Sequence, residues 1–115
     1  MPDYRPGKLV RLHLSEQDRH DNRPLYEAIV QKCMDLKIAG ATVFRGLEGY
    51  GETTAIHRGH VLAHDLPVVI QIIDSAETIE RLLSVLEAMM DTGLIAISDV
   101  EMRRVEKAAG NLPRN

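Results

Sequence analysis

Hydrophobic and polar positions alternate from Lys8 to Leu14. Val10, Leu12 and Leu14 fall on one side, and Leu9, Arg11 and His13 on the other. A period of two predicts a half-buried strand. Ser15 to Arg23 is polar and reads as a loop. Pro24 then suits the first turn of a helix, where its missing N–H costs nothing. Leu25, Ala28, Ile29, Cys33 and Leu36 make an apolar stripe flanked by Glu27, Gln31, Lys32 and Asp35. Gly40 is the expected stop, a position where a left-handed residue is commonly needed. Ala41 to Leu47 predicts a second strand, marked by Val43 and Phe44. From Glu48 to His64 no period holds, with Gly49, Gly51 and Gly59 interrupting the segment.

Leu66 to Ile73 is apolar on both faces, the pattern of a central strand covered on both sides. Asp74 and Glu77 make a capping box, with Ser75 as the competing cap. Ile79, Leu82, Leu83, Leu86, Met89 and Met90 then follow helical spacing, and Gly93 ends that helix. Leu94 to about Arg104 predicts the last strand, while residues 1–7 and 107–115 read as loose tails. The order is β-α-β, loop, β-α-β. It predicts one α+β domain over residues 1–115, a ferredoxin-like βαββαβ sandwich whose four-stranded antiparallel sheet carries both helices on one face.

That arrangement leaves the other sheet face bare, although the third strand is apolar on both sides. Val69 and Ile73, or their neighbours on the alternate face, would meet water, at roughly 25 cal/mol for each Å² of apolar area left wet. Self-association removes the difficulty.

Composition narrows the class further. The chain has 115 residues, 44% apolar and 27% charged, with a net charge of −3. This is a globular balance, and the charge gives no footing for a nucleic-acid backbone. One Phe, three Tyr and no Trp leave few platforms for stacked bases. No apolar run approaches the ~20 residues that a membrane-spanning helix requires, so direct membrane insertion is not expected. The opening Met-Pro-Asp-Tyr-Arg-Pro-Gly has no apolar segment that could serve as a secretory signal. Cys33 is the single cysteine, which fits a reducing compartment and a cytoplasmic location.

Several runs together carry a likeness: Gly49-Tyr50-Gly51, Ile56-His57, Asp65 to Ile70, Met89 to Ile95, and the helix start Pro24-Leu25-Tyr26. In combination they resemble the bacterial family called domain of unknown function 190, over essentially the whole chain. That family is grouped with the PII-like proteins. The resemblance implies a homotrimer with its sheets facing inward and ligand clefts between subunits. It implies a small-molecule effector, an adenine nucleotide in the wider superfamily, and signal transduction through the loop between the second and third strands. The loop's protein partner would, by analogy, be a membrane transporter or an enzyme.

The candidate ligand residues follow from that likeness. Gly49, Tyr50 and Gly51 could bring backbone N–H groups against a phosphate, or could simply end a strand. No Gly-Lys-Ser/Thr follows them, so this is not a Walker loop. PII-type sites hold phosphates with basic residues on the last strand, which points to Arg103 or Arg104, with Arg45 on the second strand. Alternation sends Arg103 and Arg104 to opposite faces, so one at most lines a given cleft. Ordinary surface charge, or an ion pair with Glu101 or Glu106, explains them equally. The glycine-rich, lysine-bearing turn of typical PII proteins is reduced here to Asp91-Thr92-Gly93, and Asp91 would repel a phosphate.

A metal-binding trimer is the alternative, using His57, His60 and His64, whose spacings of three and four would align on a helix. Gly59 within the run argues against that helix, and a ligand-free scaffold is a third reading. Catalysis has no support. Cys33 sits on an apolar stripe and no serine has evident histidine and acid partners, so the chain is not expected to be an enzyme.

Overall fold

The computed structural model describes residues 4–47 and 66–105. Its elements are β1 (Tyr4–Ser15), β2 (Arg19–His20), β3 (Arg23–Pro24), α1 (Leu25–Asp35), β4 (Ala41–Arg45), β5 (Pro67–Ser75), α2 (Ala76–Met89) and β6 (Leu94–Arg103). The main sheet has the order β4-β5-β1-β6, and β2 and β3 form a separate two-stranded hairpin. β5 and β6 both run antiparallel to β1, and β4 runs antiparallel to β5. This is the ferredoxin-like βαββαβ arrangement.

The alternation read in the sequence decides which side is covered. Val10, Leu12 and Leu14 of β1 are buried beside Val68, Ile70 and Ile72 of β5. Leu25, Ala28, Ile29 and Cys33 of α1 close over them, with Ile79, Leu82 and Leu86 of α2. Each of the larger side chains contributes about 1.5–3 kcal/mol by leaving water.

Local chemistry departs from expectation at four points. β1 begins at Tyr4, so residues 4–7 belong to a strand and not to a tail. Pro24 occupies the N-cap of α1, one residue ahead of the helix. Ser75 caps α2 in preference to Asp74, its hydroxyl accepting from the Thr78 N–H at 3.3 Å. Asp74 is engaged elsewhere, accepting from the N–H groups of Ala39 and Ser75.

The largest correction concerns the end of α1. Gly40 does not terminate it. Lys37 takes the left-handed conformation at φ 61°, with Lys37 N–H donating to Met34 O at 3.1 Å and Ile38 N–H to Cys33 O at 2.9 Å. That pair of bonds is a Schellman motif, built here on a lysine. Leu36, expected in the stripe, is consequently turned out and exposed.

The opposite sheet face has no covering element among the described residues. Register lines up Phe44, Val69, His13 and Leu94 across the four strands. A second row places Ile73 beside Leu9 and Ser98. Phe44 is 50% exposed, Leu94 60% and Ile73 38%. The expectation that β5 is covered on both sides therefore holds for only one side within a single chain.

Candidate functional site

The candidate residues divide between two ends of the sheet. At the end where β1 and β4 finish, Arg45 lies opposite Val68 on the helix-covered side. Its Nη2 contacts Glu16 Oε2 at 2.9 Å and donates to Tyr26 Oη at 3.3 Å. The guanidinium expected to meet a ligand is thus already neutralised by a carboxylate. Glu16 Oε1 is buried and has no hydrogen-bond partner among the described residues. Two backbone bonds fix the same corner: Gly46 N–H to Pro67 O at 2.8 Å and Glu16 N–H to Leu66 O at 2.9 Å. These bonds tie Gly46 to Pro67 and Glu16 to Leu66, fixing the described residues on either side of the segment expected to act as a signalling loop.

Gly93 is at this end also. Its φ of +131° is a conformation that L side chains rarely adopt, and an added Cβ would lie 2.7 Å from Met90 Cε and 3.2 Å from the His13 carbonyl. Turn geometry alone therefore demands glycine here. Gly49, Tyr50, Gly51, His57, His60 and His64 lie outside the described residues. Among the described residues no cluster of three His, Cys, Asp or Glu side chains could hold a metal ion.

Arg103 and Arg104 are at the far end. β5 stops at Ser75, opposite Gly7, while β1 and β6 continue as a two-stranded ribbon to the Tyr4–Arg103 pair. The Arg103 guanidinium carbon lies 4.1 Å from the centroid of the Tyr4 ring. Among the described residues no carboxylate forms an ion pair with Arg103, in contrast to Arg45. Beneath the ribbon is an open cavity of about 1420 Å³, lined by Arg5, Arg103 and Arg104 together with Ile73, Ser75 and Glu77 at the start of α2.

The two groups are far apart in one chain. β6 runs from Leu94, next to Gly93, to Arg103. Ten residues at about 3.3 Å each separate the groups by roughly 30 Å. The structure therefore does not bring Gly93 and Arg45 together with Arg103 and Arg104 within one subunit. Sequence reasoning missed Tyr4, Arg5, Glu16 and Tyr26. Only Tyr26 had a signal, one helical turn from the apolar stripe. Tyr4 and Glu16 matter through cross-strand register and tertiary contact, which no local pattern encodes.

A family model described as an uncharacterized ACR, DUF190, matches residues 7–102. The chain belongs to the DUF190 family. Its relatives include the UPF0166 protein of Aquifex aeolicus strain VF5, 38% identical over 97 residues that span 83% of this chain and 91% of the relative. UPF0166 protein MJ1524 of Methanocaldococcus jannaschii is 34% identical over 102 residues, spanning 87% and 94% of the two chains. Among solved structures, CPII of Thiomonas intermedia K12 bound to ADP and bicarbonate superposes with a TM-score of 0.63 at 20% identity, covering 90% of this chain and 95% of that one. The apo form of the same nitrogen regulatory PII-like protein gives a TM-score of 0.63 at 15% identity, covering 91% and 100%. This DUF190 chain thus shares the fold of these PII-like structures.

Proposed function

We propose that this DUF190 protein is a cytoplasmic PII-like signalling protein, and not an enzyme, that binds an adenine nucleotide between the subunits of a homotrimer. Contact with a partner protein would run through residues 48–64. The observation that carries the reading is the division of the candidate residues between opposite ends of one sheet. Arg103 and Arg104 can join Gly93 and the 46–67 corner only if a second copy supplies one of the two groups. The apolar open face, with Phe44, Ile73 and Leu94 exposed, gives the force for that association.

Within such a cleft the roles follow from chemistry. Arg103 carries no carboxylate partner among the described residues, so its N–H donors are available for charge-assisted bonds to phosphate oxygens. Arg45 serves as structure, holding Glu16 and Tyr26 at the root of the signalling segment. Gly49 to Gly51 begin three residues after Gly46, close enough in sequence for a bound phosphate to bias the segment between conformations. The bound ADP of CPII is a property of that protein, and it supports the choice of ligand here.

Calorimetry with ADP, AMP and ATP, with and without Mg²⁺, tests the reading. One nucleotide per chain is expected, and Arg103→Ala should weaken it about 10- to 100-fold, the loss of a charge-assisted hydrogen bond. An assembled protein that binds none of the three, or an Arg103→Ala variant with unchanged affinity, would overturn it.

A further inference from the structure

We infer that Tyr4 is a positioning residue for Arg103, holding its guanidinium in the pose that receives the nucleotide phosphates; this rests on the nucleotide reading above. Arg103 ends a ribbon that no other strand flanks among the described residues, since β5 stops at Ser75, level with Gly7. An arginine in that position has large rotamer freedom to lose on binding. Tyr4 removes much of it in advance. It is the residue directly across from Arg103 on β1, and its ring lies 4.1 Å from the guanidinium carbon. A ring contact differs from an ion pair in its consequence. Glu16 cancels the charge of Arg45 at 2.9 Å, whereas the ring of Tyr4 restrains Arg103 and leaves the positive charge for an incoming anion.

Three variants separate this role from simple packing. Tyr4→Ala should weaken ADP binding about two- to fivefold, the range of an exposed cation–π contact. Tyr4→Phe keeps the ring and should bind as the parent does. In an Arg103→Ala background the Tyr4→Ala change should cost nothing more, because the group it positions is gone. Unchanged affinity in Tyr4→Ala, or a loss that adds in full to that of Arg103→Ala, overturns the inference. A ligand-free readout accompanies the calorimetry. Arg103 side-chain NMR resonances should show an aromatic ring-current shift in the parent and in Tyr4→Phe, but not in Tyr4→Ala. If that shift is present while ADP fails to bind the parent, the nucleotide reading fails with the stack intact, and the positioning role falls with it. If the shift is absent from a parent that binds ADP, only the role of Tyr4 is refuted.

Discussion

Replacing Phe44 by aspartate should take the proposed homotrimer apart while leaving the subunit folded. Phe44 is on β4, on the sheet face without a covering helix, and 50% of it is exposed in the isolated chain. A Phe side chain carries about 200 Å² of surface, so about 100 Å² remains for a neighbouring subunit to bury. At 25 cal/mol per Å² that is about 2.5 kcal/mol per subunit, and roughly 7–8 kcal/mol over three. At about 1.4 kcal/mol per factor of ten, the trimer dissociation constant should rise by roughly five orders of magnitude. An unpaired carboxylate placed in the interface adds to the loss. The cost to the subunit itself is limited to the strand preference of one edge position, about 1 kcal/mol. Sedimentation velocity at micromolar concentration reads the first effect, and thermal melting of the monomer reads the second. A parent that sediments as a folded monomer refutes the premise. A Phe44→Asp protein that remains a trimer refutes the assignment of this face to the interface.

Two further outcomes concern stability. Lys37→Gly should stabilise the protein by about 0.5–1 kcal/mol, because the left-handed penalty of an L-residue, about 1–2 kcal/mol, outweighs the extra chain entropy of glycine. Its φ is 61°, and a lower urea midpoint in the variant would refute the Schellman assignment. Cys33 is buried in α1, and burial pushes its thiol up from 9.0 to about 11. The folded thiol is the weaker acid, so its contribution to stability is complete below pH 9. That contribution is lost as pH rises from 9 to 11, where the unfolded chain releases the proton first. The difference in stability between the parent and Cys33→Ala should therefore shrink across that window, and a difference that stays flat would refute it.

Much of the fold was legible because the core obeys simple periods. Val10, Leu12 and Leu14 alternate at a period of two, and Ile79, Leu82 and Leu86 recur at helical spacing; all six are fully or almost fully buried. Failures arose where local chemistry had two solutions. Gly40 is the better residue for a left-handed cap, yet Ile38 reaches Cys33 only if the chain turns at Lys37, and packing of Ile38 against the core settles the competition. Ser75 and Asp74 could each cap α2, and the demand of the Ala39 N–H for a carboxylate assigns them. Residues 4–7 looked like a tail because Pro6 and Gly7 disrupt the alternation, although β6 provides a partner for every one of them.

The candidate residues could be named from the sequence, but their placement could not, for a reason that bears on the proposed function. Arg45 and Arg103 are equivalent as letters: both are basic residues at the end of a strand. Register makes them opposites, one facing Glu16 and the other facing Tyr4. Register also sets Arg103 roughly 30 Å from Gly93, so no single subunit can bring both groups to the proposed cleft. A ligand that needs both ends binds the assembled form and not the dissociated chain. Each occupied site then favours assembly by RT ln(1 + [L]/Kd), about 2.7 kcal/mol at a hundredfold excess over Kd. That is comparable to the roughly 2.5 kcal/mol assigned to burying Phe44. In the proposed trimer, nucleotide occupancy and subunit contact would thus act on the same equilibrium with similar weight. A protein arranged in this way can report nucleotide through the tightness of its own assembly, as well as through any segment that the cleft anchors.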